Sequence, residues 1–310
     1  MVANITIQRP WNYGKISDLV SKDTDLDVYK GQPGDFMKQV KSEPVYGPII
    51  SRRLGASLGI NPIQGGFACI FACSFCQYIR DIEEALKKGD IRFTTPDEIK
   101  EGLEKKLPPL LEFLQGSGRE GLDRNLSLTI CGPTEPTMNP YLNEIIDVVA
   151  YAKNKYSKGN EIYTDIFTNA QKLIGINLNR LDNAFIKLDA GNERTFQRVN
   201  RPRGGITLDH IISQIKGANV EHKILQSMFL EGNEGNLHPN DFADYIKLLD
   251  GIRPSEVQVY TLLYKPRSFE INALDGEKLI EVGNKIKAGL PSAEVKVYIA
   301  PVGEGVEWIM

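Results

Sequence analysis

Cys69-Ile70-Phe71-Ala72-Cys73-Ser74-Phe75-Cys76 directly follows a short β-rich run, Leu58–Ile63, and it decides the reading of the whole chain. Three thiols spaced by four and three residues converge from one tight loop. A four-iron, four-sulfur cube held by three cysteines keeps one iron without a protein ligand, whereas electron-carrying cubes normally have four cysteine ligands. That open iron accepts an exogenous ligand and makes the arrangement catalytic. The competing readings are a zinc site and buried free thiols. A zinc site needs a fourth ligand. His210, His222 and His238 lie far downstream without ligand spacing to the loop, which leaves Cys131 as the thiol to recruit.

Outward from the loop, β-rich runs alternate with segments of helical period. The predicted strands are Leu58–Ile63, Leu126–Cys131, Ile162–Phe167, Phe185–Asp189, Lys223–Phe229 and Glu256–Leu262, with Val295–Ile299 as a further strand at an edge. Most are near-continuous apolar runs, as expected of parallel strands covered on both faces. Thr95-Pro96-Asp97-Glu98 reads as a helix start, with Thr95 as N-cap, Pro96 first in the helix and Glu98 as capping-box partner. Ile99, Leu103 and Leu107 continue that helix on one face. Leu142, Ile145, Ile146 and Val149 form a second apolar stripe, Phe242, Ile246 and Leu249 a third, and Leu279, Val282 and Ile286 a fourth. Six strand–helix units in series predict a parallel α/β sheet with right-handed crossovers, either a barrel or part-barrel or a doubly wound open sheet.

The chain has 310 residues, 41% hydrophobic and 25% charged, values ordinary for a globular protein. Three parts are expected: an N-terminal extension over residues 1–45 that wraps the main domain, a core over 46–290, and a C-terminal strand and tail over 291–310. The net charge of -3 gives no support to a large nucleic-acid partner. No apolar run has the length of a membrane span, and the polar start lacks the regions of a signal peptide. The expected location is the cytoplasm, where clustered cysteines read as metal ligands rather than disulfides.

The loop matches the signature of the radical S-adenosylmethionine superfamily, Cys-x3-Cys-x-aromatic-Cys, with Phe75 as the aromatic. Tyr46 to Asn61, Gln77, Lys187-Leu188-Asp189-Ala190-Gly191, Asn200-Arg201-Pro202 and Leu225-Gln226-Ser227-Met228-Phe229 extend the likeness over about residues 45 to 290. Together they resemble an iron–sulfur oxidoreductase branch related to wyosine-synthase-type enzymes. The resemblance implies a partial parallel (βα)6 barrel of the TIM type, with one [4Fe-4S] cluster on Cys69, Cys73 and Cys76. It implies reductive cleavage of S-adenosyl-L-methionine to a 5′-deoxyadenosyl radical, driven by an external one-electron reductant such as flavodoxin or ferredoxin.

Site residues follow from the same resemblance. Phe75 is expected near the adenine. Glu135 and Thr137 match the family's Gly-Glu-Pro-Thr turn, which holds the cofactor's amino group, although Thr134 replaces the glycine. Thr168 and Asn169 resemble the position that contacts the ribose or carboxylate. Gln226, on the fifth strand, either faces the cofactor or is satisfied within the core. Lys187 and Asp189 end the fourth strand on one face, as catalytic groups or as a structural ion pair. Cys131 reads as a small buried hydrophobe, a thiol behind the site or a radical quencher. The basic stretch Arg194, Arg198, Arg201 and Arg203 is either an anion grip or a solvated helix face, and Arg52 and Arg53 cover either the cofactor or the barrel's bottom.

Wyosine-type relatives carry further cysteines upstream for a second cluster, and this sequence has none before Cys69. The leading expectation is therefore a single-cluster radical enzyme acting on a small substrate or cofactor precursor. The alternatives are an RNA base-modifying radical enzyme and an iron–sulfur electron-transfer or activating protein.

Overall fold

The computed structural model describes residues 5–8, 40, 42–51, 53–65, 69–76, 88, 92–116, 126–262, 268 and 270–299. Gln77 and Arg52, named above, lie outside the described residues, as does most of the stretch before residue 40. Eleven strands are described: β1 (Thr6–Gln8), β2 (Val45–Ser51), β3 (Gly55–Ile60), β4 (Ile63–Gln64), β5 (Arg92–Phe93), β6 (Leu126–Ile130), β7 (Ile162–Thr168), β8 (Asn183–Lys187), β9 (His222–Met228), β10 (Glu256–Tyr260) and β11 (Glu294–Tyr298). The α-helices are α1 (Pro96–Gly116), α2 (Leu142–Tyr156), α3 (Glu193–Val199), α4 (Leu208–Gly217), α5 (Pro239–Ile252) and α6 (Gly276–Gly289).

Strand order separates the two predicted architectures. The large sheet runs β1-β11-β10-β9-β8-β7-β6-β3-β2. Within this sheet each strand from β3 to β11 lies beside the next, all parallel, with no reversal, while β4 and β5 pair antiparallel apart from it. A doubly wound sheet must reverse its order at a switch point. Successive right-handed crossovers without a reversal put the helices on one side and curl the sheet toward a barrel. The described sheet does not close: β2, antiparallel to β3, is one edge and β1 is the other. The strand expected at an edge, β11, instead lies between β10 and β1.

The two faces of the sheet differ in chemistry, which the reading of apolar runs did not anticipate. Leu58, Ile60, Leu128, Ile130, Ile166, Ile186, Leu225, Val257 and Val297 are all buried in one core with the apolar stripes of α1, α2, α4 and α6. The alternate residues are largely polar. Ser57 and Thr129 share a hydrogen bond of 2.7 Å, Thr129 and Ser127 another of 2.7 Å, and Ser127 and Asn183 both donate to Asp165. Further round, Gln226 donates to Gln258 at 2.8 Å, and Gln258 and Lys296 donate to Glu256 at 2.7 Å each. Leu54, from the β2–β3 turn, packs with Phe185, Ile224 and Phe167 inside this polar ring.

The capping box read from Thr95 and Glu98 is formed. Thr95 N donates to Glu98 Oε2 at 2.9 Å, and Glu98 N donates to Thr95 Oγ1 at 3.4 Å. Gly59 is required by close approach, because a Cβ there would fall 2.1 Å from a ring carbon of Tyr46.

Ile146 on α2 is completely buried in the main core. Ile146→Ala is expected to cost about 2–5 kcal/mol in urea unfolding, the usual range for a cavity of this kind. A loss below about 1 kcal/mol would show that α2 is not packed as described.

Candidate active site

The cysteine loop is fastened to the segment that follows α3. Ala72 N donates to Arg201 O at 3.1 Å, Ser74 N to Val199 O at 2.8 Å, and Arg203 N to Ile70 O at 2.7 Å. Phe71 and Pro202 form an isolated antiparallel bridge, and the Phe71 ring meets Phe196 edge-on at 5.6 Å. Cys69, Cys73 and Cys76 thereby line one cavity of about 610 Å³, together with Phe75, Cys131, Asn169, Lys187, Asp189, Asn200 and Tyr260. Two of the thiols receive side-chain amide N–H groups. Asn169 Nδ2 lies 3.4 Å from Cys69 Sγ, and Asn200 Nδ2 lies 3.8 Å from Cys73 Sγ. Burial pushes Cys69 up to about 12 and Cys73 well above the usual thiol range.

Asp189 is the hub of the opposite wall. Its Oδ1 accepts from Lys187 Nζ at 2.8 Å and from Met228 N at 2.9 Å, and its Oδ2 accepts from Asn200 Nδ2 at 3.0 Å. Lys187 Nζ also donates to Tyr260 Oη at 2.6 Å and lies 4.9 Å from the Phe75 ring centre. Burial works against the Lys187 charge, but Asp189 and Tyr260 outweigh it and hold the ammonium above the usual lysine range. One polar arc thus runs from Cys73 through Asn200, Asp189 and Lys187 to Tyr260. Tyr260 and Asn200 were not singled out as site residues from sequence. The signal for Tyr260 was available in the alternation Glu256, Gln258, Tyr260 along the inner face.

The structure places other predicted residues differently. Glu135, Thr137 and Thr168 do not line the cavity. The Glu135 carboxylate is tied up by Thr137 N at 3.2 Å, Thr137 Oγ1 at 2.8 Å, Thr168 Oγ1 at 2.6 Å and Asn169 N at 2.7 Å. It fixes the end of β7, and with it Asn169. Burial raises its carboxyl above the usual range, against those four donors. Gln226 belongs to the ladder beneath the cavity. Cys131 does line the cavity, with its Sγ 3.0 Å from Tyr46 Oη, and burial raises it to about 11.

No family model matches the chain. A UPF0026 protein of Synechocystis sp. is 30% identical over 222 residues, covering 69% of this chain and 74% of that relative. The chain belongs to the UPF0026 family. A UPF0026 protein of Methanocaldococcus jannaschii is 28% identical over 171 residues, and there this chain spans 47% of the relative's length. Among solved structures, a radical SAM methyltransferase from Sphaerobacter thermophilus superposes with a TM-score of 0.54 at 14% identity, over 78% of this chain and 66% of that one. TYW1 with a lysine-pyruvate adduct bound gives a TM-score of 0.52 at 14% identity, over 75% of this chain and 73% of that one. The fold of this UPF0026 protein is therefore the α/β fold of the radical SAM enzymes.

Three thiols on one cavity wall of the UPF0026 chain are donors of the kind an iron–sulfur cube takes. Among the described residues, no three His, Cys, Asp or Glu side chains are close enough to hold one metal ion. Thiolates on three different corners of a cube need not meet at one point. Two buried oxygens on these segments have no hydrogen-bond partner, Asn200 Oδ1 in the cavity wall and Ser74 Oγ in the loop. Buried polar atoms without partners are uncommon unless a ligand or water completes them.

Three arginines of the basic stretch are tied into the scaffold. Arg198 donates to Gly235 O and Asp241 Oδ2, Arg194 to Asp241 Oδ1, and Arg201 to Glu234. Burial works against the Asp241 charge, but Arg198, Asn192 and Arg194 hold its carboxyl down at about 2. A depressed folded value stabilises above the unfolded value of about 3.9 and is lost as pH falls through the folded one. The UPF0026 chain is expected to lose up to about 2 kcal/mol from this group between about pH 4 and pH 2. Urea unfolding across that range should show a shallower acid loss in Asp241→Asn. Parallel acid limbs would remove Asp241 as the cause.

Proposed function

We propose that this chain is a radical S-adenosylmethionine enzyme, an oxidoreductase with one [4Fe-4S] cluster on Cys69, Cys73 and Cys76, acting on a small substrate or cofactor precursor. The observation that carries the reading is the gathering of those three thiols on one cavity wall, in a fold shared with radical SAM enzymes. When bound, the cluster and S-adenosylmethionine supply a one-electron cleavage that yields a 5′-deoxyadenosyl radical able to take a hydrogen atom from the substrate.

The chain's own residues do the positioning. Cys69, Cys73 and Cys76 would hold the cluster through three of its irons, and Asn169 and Asn200 direct N–H groups at two of those sulfurs. Such hydrogen bonds to sulfur help set a cluster's potential. Glu135, Thr137 and Thr168 act behind the wall by fixing Asn169. Lys187 and Asp189 face the cavity as the substrate-side pair, and Phe75 covers Lys187. The electron comes from an external carrier such as flavodoxin or ferredoxin. Arg194 and Arg198 pair with Asp241 and Arg201 with Glu234, which lowers the net charge the stretch presents to an RNA.

Anaerobic protein reconstituted with iron and sulfide, then reduced, is expected to release 5′-deoxyadenosine from S-adenosylmethionine, while Cys73→Ala releases none. An assembled cluster that yields no 5′-deoxyadenosine with any of several reductants and substrates would favour an electron-transfer protein instead.

A further inference from the structure

The two asparagines that point at ligand sulfurs are held in different ways. Asn169 is clamped at both ends of its side chain. Its Oδ1 accepts from Gln171 N at 3.0 Å, and its Nδ2 lies 3.4 Å from Cys69 Sγ. Asn200 is buried, and its Oδ1 has no hydrogen-bond partner. Both of its side-chain contacts are made by Nδ2, to Asp189 Oδ2 at 3.0 Å and to Cys73 Sγ at 3.8 Å. A side-chain amide nitrogen carries two protons, so these two acceptors share one donor group and orient it between them. A change in the pull of either is felt by the other.

Asp189 is itself shared with Lys187, whose Nζ lies 2.8 Å from its Oδ1. The Asp189 side chain is fully buried, whereas that of Lys187 is 23% exposed, so a ligand in the cavity meets the pair at Lys187. The two charges are opposite, and while paired their fields at Cys73 largely cancel. A ligand group that draws Lys187 toward itself leaves Asp189 the stronger acceptor. Its carboxylate then takes more of the Asn200 amide, at the expense of Cys73. Hydrogen bonds to the sulfurs and net charge both set an iron–sulfur potential. A reduced cluster carries one more negative charge than an oxidised one. A weaker N–H bond to Cys73 and an uncompensated Asp189 therefore act in the same direction, toward a lower potential.

We propose that Asn200 is a positioning residue that couples the Lys187–Asp189 pair to the cluster, so that what binds at Lys187 sets the cluster's potential. This deepens the proposed function, on which it rests for the cluster and for placing the substrate at Lys187. With the pair intact, Asn200 supports Cys73. With Lys187 drawn off by a ligand, that support weakens, and the cluster becomes harder to reduce and a stronger electron donor once reduced. Asn169, whose hydrogen bonds do not involve the pair, gives Cys69 a donor that does not vary with the ligand.

Redox titration of the reconstituted full chain, with dithionite as reductant and electron paramagnetic resonance of the cluster as readout, tests the coupling without turnover. Lys187→Met stands in for a withdrawn lysine and is measured in the parent, in Asn200→Leu and in Asn169→Leu. In the parent it is expected to lower the midpoint by about 59 mV or more, a tenfold change in the reduced-to-oxidised ratio of a one-electron couple. The shift should be undiminished in Asn169→Leu and about half as large or less in Asn200→Leu, the non-additivity of residues in one network. The bonds that fasten the cysteine loop are made by backbone atoms and do not use the Asn200 side chain. Asn200→Ser takes the place of Asn200→Leu if the latter assembles no cluster. No shift in the parent, an equal shift with Asn200 replaced, or an equal loss in Asn169→Leu would overturn the coupling. So would failure of both Asn200 variants to hold a cluster that Asn169→Leu holds, which makes Asn200 a structural residue only. Any of these outcomes with 5′-deoxyadenosine release retained by the parent rejects this inference alone. Coupled midpoints without release reject the radical-enzyme reading and leave the coupling, and a parent that assembles no cluster rejects both.

Discussion

Everything at the active end depends on a short stretch of backbone pairing between the cysteine loop and the residues after α3. Three hydrogen bonds and the Phe71–Pro202 bridge give the loop a partner strand where it has no regular structure of its own. A loop carrying three thiols over a cavity is otherwise costly in chain entropy. The same partner segment contains Asn200, which reaches both Cys73 and Asp189. One junction therefore sets the position of the thiols and connects them to the substrate-side wall.

Below that junction the barrel is unusual in its inner chemistry. Its interior is wired by hydrogen bonds among Ser57, Thr129, Ser127, Asp165 and Asn183 on one side and Gln226, Gln258 and Glu256 on the other. Buried polar groups of this kind are stable only when their partners are in place, so the interior specifies its own geometry. Leu54 fills the centre, and its neighbour Arg53 turns the plug into part of the cavity wall.

Much of this was legible in the sequence, for physical reasons. The cysteine spacing and the aromatic at Phe75 are local, and so are the capping box at Thr95 and the apolar stripes of α1, α2 and α6. The run of strand–helix units in order also gave the parallel sheet with right-handed crossovers, while the choice between barrel-like and doubly wound sheet came from the strand order. What was not legible depends on pairing across long separations. Glu135 reads as a cofactor contact from its turn, and the bonds its carboxylate accepts from Thr168 Oγ1 and Asn169 N, at the end of the next strand, are invisible in the sequence. Arg194, Arg198 and Arg201, in and after α3, read as an anion grip or a solvated face, and their partners Asp241 and Glu234 lie 33 to 47 residues further on. Tyr260 was hidden because a strand's inward alternation is visible only once the inside is known to be polar.

The central claim is that exactly three cysteines hold the cluster and leave one iron open, with Cys131 outside the ligand set. Electron paramagnetic resonance of the reduced, reconstituted protein tests it most directly, comparing the parent with Cys131→Ala before and after S-adenosylmethionine is added. The account predicts the same cluster signal in both proteins and a shift in its g-values on addition of S-adenosylmethionine. Loss of the cluster in Cys131→Ala, or a parent signal that S-adenosylmethionine leaves unchanged, would contradict it.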